Sequence, residues 1–195
     1  MDPSTRQTLL EDIAAQVRVC PRCRLCETRT NAVPGEGPPD ARVMFVGEGP
    51  GFQEDRQGRP FVGPAGQLLN QLLLDAGLRR PEVFITNLVK CRPPNNREPH
   101  PDEVEACSEY LEGQIALLQP RLICLLGRPA TQTILDPSAA MTRVHGRVFE
   151  KDGLRFMPIY HPAAALHNPG MRTPLEGDFR ALAAVVRDSL ESNAS

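Results

Sequence analysis

Lysine is almost missing from this chain: Lys90 and Lys151 are the only two, and arginine supplies the rest of the 22 basic residues. Against 24 acidic residues the net charge is −2, so the chain as a whole is no polycation. Any grip on nucleic acid must come from a local patch. Arginine forks suit phosphate, although genome composition produces the same bias. No apolar run approaches the roughly 20 residues that a bilayer crossing needs. The first sixteen residues carry acids and lack the apolar stretch of a secretory signal. A cytoplasmic protein is expected. There is no internal repeat, no low-complexity tract and no second domain to be seen. The reading is one domain over 1–195, long enough to bury a core without disulfide or metal support.

Two familiar phosphate-binding loops are also absent. Gly47-Glu-Gly-Pro-Gly-Phe-Gln-Glu-Asp55 is rich in glycine, but no Gly-Lys-Ser/Thr follows it. Pro50 interrupts it where a dinucleotide fingerprint would start its helix. What remains is a loop whose bare backbone lets a ligand come close.

The hydrophobic pattern alternates between strand and helix. A helix is expected over 5–18, with Leu9, Leu10, Ile13 and Val17 on one stripe. Buried strands are expected at 42–46, 83–89 and 122–126, each a continuous apolar run. Helices are expected over 64–77, from Pro101 to about Leu118, over 129–135 and around 175–190. Two further strands, 144–149 and 154–160, flank an Asp152-Gly153 turn. Such alternation predicts an α/β domain with a mainly parallel sheet covered on both faces. In open sheets of this kind ligands sit beyond the carboxyl ends of the strands. The unusual residues fall there: the glycine loop, Asn87 to Arg97, and His161.

Six cysteines stand at 20, 23, 26, 91, 107 and 124. In a reducing compartment they read as metal ligands or buried thiols, not disulfides. Cys20 and Cys23 form a tight pair; with Cys91 and Cys107 they could surround a cluster or a zinc ion. Cys26 reads either as a competing ligand or as a packing residue. Cys124, inside an apolar strand, reads as a small buried hydrophobe.

Around the glycine loop stand Phe61 in Gly58-Arg-Pro-Phe-Val-Gly63, Asn87 before Lys90-Cys-Arg-Pro-Pro94, and His161-Pro-Ala-Ala-Ala-Leu166. A stacking face, a carboxamide and an imidazole are the groups that hold a nucleobase. These four segments, taken in order, resemble the family 4, thermostable-type uracil-DNA glycosylases, from about Cys20 to Phe179.

The resemblance implies a three-layer α/β/α sandwich around a four-stranded, mainly parallel sheet. It implies a 4Fe–4S cluster on Cys20, Cys23, Cys91 and Cys107, and no ligand role for Cys26 or Cys124. It implies that Gly47, Glu48, Gly49, Phe61, Asn87 and His161 contact uracil flipped out of DNA, with free uracil as product and a monomeric enzyme. Phe61 would stack on the base and Asn87 would read its N3–O4 edge. His161 would donate to O2, with Glu54 or its loop as the wall against the thymine methyl. Better-known uracil glycosylases carry an aspartate where this chain has Gly49, so the attacking water falls to backbone carbonyls aided by Glu48. Arg56, Arg59, Lys90, Arg92 and Arg97 are assigned to phosphates. Leu166 or His167 is assigned to the gap left by the flipped base, with a core-capping role for Leu166 as the alternative. Two rivals are a uracil-binding relative that becomes covalently trapped on DNA and a non-catalytic iron–sulfur scaffold. The first carries a basic, histidine-bearing insert that Cys91–Pro99 lacks.

Overall fold

The computed structural model describes residues 1–191; residues 192–195 of the domain expected over 1–195 lie outside the described residues. Helix α1 (Pro3–Arg18) opens the chain, capped by the Asp2 carboxylate, which accepts from the N–H groups of Ser4 and Thr5. Pro3 sits in its first turn, where a missing N–H costs nothing. Strand β1 (Val43–Gly47) leads to α2 (Phe52–Gln57) and α3 (Pro64–Asp75), then β2 (Phe84–Asn87) and α4 (Pro101–Leu118). Next come β3 (Leu122–Leu126), α5 (Arg128–Ile134), α6 (Met141–Val144), β4 (Phe149–Lys151), β5 (Leu154–Ile159), α7 (Pro162–His167) and α8 (Arg172–Glu191). Among the described residues no helix is long and apolar enough to cross a membrane.

The sheet runs in the order β2-β1-β3-β5-β4. β2, β1, β3 and β5 are parallel, and β4 pairs antiparallel with β5. The sheet has five strands, one more than the four that the resemblance implies, the addition being the short antiparallel β4 at the edge. The strand expected at 144–149 is also displaced. Met141–Val144 is helical, Gly146 takes φ +71°, and pairing begins only at Phe149. Asp152 and Gly153 both take positive φ, at +53° and +76°, as a tight hairpin turn requires.

Alternate residues of each strand face opposite layers, the period-2 consequence of the pleat. Phe45, Cys124, Leu126, Met157 and Ile159 join one core cluster with Leu69, Leu72 and Leu73 of α3 and Phe179 and Leu182 of α8. Met44, Val46, Ile123, Leu125 and Phe156 join the other with Leu10 of α1, Leu111 and Leu118 of α4 and Ala130 of α5. These two clusters are the two faces of a three-layer sandwich. Truncating a fully buried leucine such as Leu69 to alanine is expected to cost about 2–5 kcal/mol. A third, smaller cluster gathers Val17, Leu25, Val89 and Tyr110 around Cys91 and Cys107.

β1 pairs with β2 on one side and β3 on the other. Its neighbours therefore diverge, and the crevice of the sheet opens at the carboxyl end of β1. Gly47 ends that strand, Asn87 ends β2, and His161 follows β5.

Candidate active site

One cleft at these strand ends is lined by Glu48, Gly49, Glu54, Phe61, Asn87 and His161, joined by Phe52, Leu166 and His167. Three distant stretches thus deliver the aromatic, the amide and the imidazole to one place. Phe61 and His161 lie with ring centroids 5.6 Å apart and planes inclined by 30°. Asn87 is 1% exposed, and its Oδ1 has no hydrogen-bond partner. A buried carbonyl oxygen left bare is costly, on the order of 1–3 kcal/mol, unless something arrives to donate to it.

Gly47 sits beneath this arrangement. A Cβ there would lie 2.5 Å from Asn87 Oδ1 and 2.8 Å from Phe61 Cζ, so no side chain fits. Gly49 is also tight, since its Cβ would approach Val89 Cγ2 to 2.8 Å, and it carries no side chain that could act as a base.

Phe61 is held in a left-handed conformation, φ +49°, which costs a non-glycine residue about 1 kcal/mol. Its surroundings enforce the shape. Arg80 donates to the carbonyls of Phe61, at 2.7 Å, and Pro60. Glu54 Oε1 accepts from the N–H groups of Val62, at 3.0 Å, and Gly63, at 2.9 Å. Gly66 allows α3 to pass so close that a Cβ there would meet the Phe61 carbonyl oxygen at 1.9 Å.

His161 caps α7: its Nδ1 accepts from the Ala163 N–H at 3.0 Å. Burial lowers its pKa to about 4, although the Glu54 carboxylate pulls the other way. At neutral pH the ring is therefore uncharged, and with Nδ1 accepting, the proton resides on Nε2. Burial raises the Glu48 carboxyl above its usual range; Glu98 adds to the rise and Arg128 opposes it.

Residues 34–183 match the profile of the uracil DNA glycosylase superfamily. The chain belongs to that superfamily. The type-4 uracil-DNA glycosylase of Sulfurisphaera tokodaii is 51% identical over 181 residues, 88% of this chain and 82% of the relative. That of Archaeoglobus fulgidus is 46% identical over 179 residues, 88% of this chain and 90% of the relative. A type-5 uracil-DNA glycosylase of Pyrobaculum aerophilum is 35% identical over 158 residues, 72% of this chain and 70% of the relative. The type-4 resemblance drawn from the glycine loop and its companion segments therefore holds over most of the chain.

In this superfamily member the cysteines separate into two groups. Cys20, Cys23, Cys26, Cys91 and Cys107 line one small pocket at the end of α1. Cys124 is fully buried among the residues that pack against α3 and α8. Arg29 Nη1 donates to Cys91 Sγ at 3.2 Å, and the Lys90 N–H donates to Cys107 Sγ at 3.3 Å. Burial raises the thiol of Cys91 to about 11 and pushes those of Cys23 and Cys107 upward. Among the described residues no three His, Cys, Asp or Glu side chains are set around one point as a ready single-ion site. The thiols ring a space instead.

Lys90 departs from its assignment. It is 1% exposed, and its Nζ donates to Thr86 Oγ1 at 2.6 Å, the Asn87 carbonyl at 2.8 Å and Gln114 Oε1 at 2.9 Å. An ammonium so enclosed cannot reach a phosphate; it braces the strand end that carries Asn87. Arg59 pairs with Glu36 through two bonds of 2.9 Å and does not line the cleft. Arg97 lines the cleft, but its fork is taken by Glu103 at 2.9 and 2.7 Å. Arg92 donates to Asn96 Oδ1 at 2.7 Å and keeps its guanidinium 5.4 Å from the centre of the Phe52 ring. Leu166 is 48% exposed and so does not cap the core.

Asp178 was not legible as a site residue. It is buried on α8, where it accepts from the Tyr160 N–H at 2.9 Å and bonds His145 Nδ1 at 2.6 Å. Tyr160 precedes His161, so this carboxylate pins the backbone from which the imidazole projects. A histidine and an acid 33 residues apart leave no local signal of such a pairing.

Proposed function

We propose that this protein hydrolyses the N-glycosidic bond of uracil in DNA, acting as a cytoplasmic monomer on a base flipped into the cleft described above. The observation that carries the reading is the bare, buried Oδ1 of Asn87 beside Phe61 and His161. Uracil offers an N3–H to that oxygen and an O4 to the amide's own N–H. Cytosine reverses both, so each polar atom would be left buried against its like.

Phe61 stacks on the base. As the bond to the sugar lengthens, negative charge gathers on uracil O2, and the Nε2–H of neutral His161 donates to it. One preorganised donor of this kind contributes about 3 kcal/mol. Gly47 and Gly49 let the ring approach the backbone, and Gly49 offers no side-chain base. The attacking water is held by backbone carbonyls at this turn with help from Glu48, whose carboxyl is held above its usual range by burial. Glu54, fixed by two N–H groups of the Phe61 loop, forms the wall that refuses a 5-methyl group. Leu166, on the exposed shoulder of α7, fills the gap in the duplex, and Arg92 contributes to the grip on DNA.

The donor set of the cysteine pocket fits an iron–sulfur cluster: five cysteines from three separate stretches, one more than the four thiolates a cluster takes, with N–H groups directed at two of the sulfurs. Cys20, Cys23, Cys91 and Cys107 would hold it, leaving Cys26 unligated. When bound, a 4Fe–4S cluster supplies iron–thiolate bonds that tie the end of α1, the exit of β2 and α4 together.

The deciding experiment uses end-labelled oligonucleotides with one uracil, single-stranded or opposite G or A. Alkali-labile breaks at the uracil are the expected result. Intact strands throughout would overturn the reading, and a protein–DNA band that survives a denaturing gel would favour trapping over turnover.

A further inference from the structure

Phe52 leaves 49% of its surface in water at the mouth of the cleft. A single exposed aromatic is ordinary; its company is not. The guanidinium carbons of Arg56 and Arg92 stand 5.7 and 5.4 Å from its ring centre, within cation–π range. Arg56 comes from one turn further along α2, and Arg92 from the loop after β2. Elsewhere near the cleft, arginines are spoken for: Arg59 by Glu36, Arg97 by Glu103 and Arg128 by Glu98. Arg56 and Arg92 pair with no carboxylate among the described residues; Arg92 is steadied only by the neutral Asn96 side chain. In a chain of net charge −2, two unneutralised cations against an open ring beside the base cleft form a distinctly polyanion-seeking spot.

We propose that Phe52, Arg56 and Arg92 form a second, sequence-tolerant platform that stacks an unflipped nucleotide next to the uracil in single-stranded DNA. This rests on the glycosylase reading. Every nucleobase has a flat face for the Phe52 ring, and the two forks reach the phosphates on either side of it. In a duplex the neighbouring base is already stacked on its own strand and gains little from the ring. The platform therefore favours single strands and single-stranded ends.

The test measures steady-state excision on single-stranded oligonucleotides in which each of the two nucleotides on either side of uracil is replaced in turn by an abasic spacer. Wild type, F52A and F52W are compared, with circular dichroism to verify folding. For wild type, one spacer position is expected to raise KM about tenfold with kcat unchanged. F52A should show that higher KM on the fully based strand and no longer respond to that spacer. F52W should restore the wild-type pattern, and duplex substrates should be indifferent to the substitutions. If F52A responds to the spacers just as wild type does, the platform is wrong while the glycosylase reading stands. If wild type releases no uracil from any strand, the glycosylase reading fails and the platform with it.

Discussion

The N–H of Ala163 donates to Nδ1 of His161 at 3.0 Å, which leaves the imidazole proton on the opposite nitrogen of a ring that lines the cleft. One turn of α7 thereby sets the tautomer. At neutral pH the ring thus carries an N–H and no positive charge, as the proposed donor role requires.

From this follows a pH dependence with a definite sign. The folded pKa of about 4 lies below the ordinary 6.5 of histidine. Between those values the unfolded chain binds the proton and the folded one does not. This group's contribution to stability is therefore complete above pH 6.5 and lost as pH falls toward 4. Nuclear magnetic resonance of the His161 ring is expected to show its inflection below pH 5, and excision should pass through pH 6.5 without a break from this residue. A titration centred near 6.5 would falsify the assignment of a neutral donor. His161→Ala is expected to lose roughly 100-fold in rate or more.

Gly47→Ala inserts one methyl between Asn87 and Phe61, where only 2.5 and 2.8 Å are available. Relieving that clash means shifting buried Asn87 or Phe61, at a cost of about 1–3 kcal/mol, so the variant should fold with a lowered melting temperature. Binding of free uracil, measured as product inhibition, should weaken at least tenfold. Unchanged inhibition would mean that the base sits elsewhere.

Asp178→Ala and Asp178→Asn separate positioning from stability. Both lose the charge beside His145, but asparagine still offers an oxygen to the Tyr160 N–H. Alanine is expected to cut kcat about tenfold with little change in KM, and asparagine to recover most of that loss. Equal kcat for the two variants, with only the melting temperature altered, would reduce Asp178 to a structural role.

For the cysteines, Cys107→Ser should deplete iron content and visible absorbance, whereas Cys26→Ala should leave both intact. Cys124→Ala should lower stability by about 1 kcal/mol through lost packing and leave the absorbance untouched. Full iron in Cys107→Ser would remove Cys107 from the ligand set.

Much of this could be read from the sequence because it depends on local pattern. β1 and β3 are buried on both faces, so they appear as unbroken apolar runs. The glycine loop is legible because Gly47 and Gly49 have no room for side chains. What escaped was long-range pairing of charge. Lys90 sits beside the cysteine motif and reads as a phosphate contact until Gln114, on α4, is seen to enclose it. Arg59 and Arg97 look free until Glu36 and Glu103 fold against them. Phe52 draws no notice within the glycine loop, because its partner Arg92 lies forty residues away. The misplaced strand at 144–149 has the same origin, since its apolar residues serve a helical turn and a crossing loop before pairing begins.

Asn87 and Cys91 lie four residues apart, a span of at most roughly 13 to 14 Å of extended chain. Between them Val89 presses on Gly49 and Lys90 ties Asn87 to Cys107. If the proposed cluster binds at Cys91, its loss would slacken one end of this short tether, and discrimination between bases would blur before the sandwich comes apart.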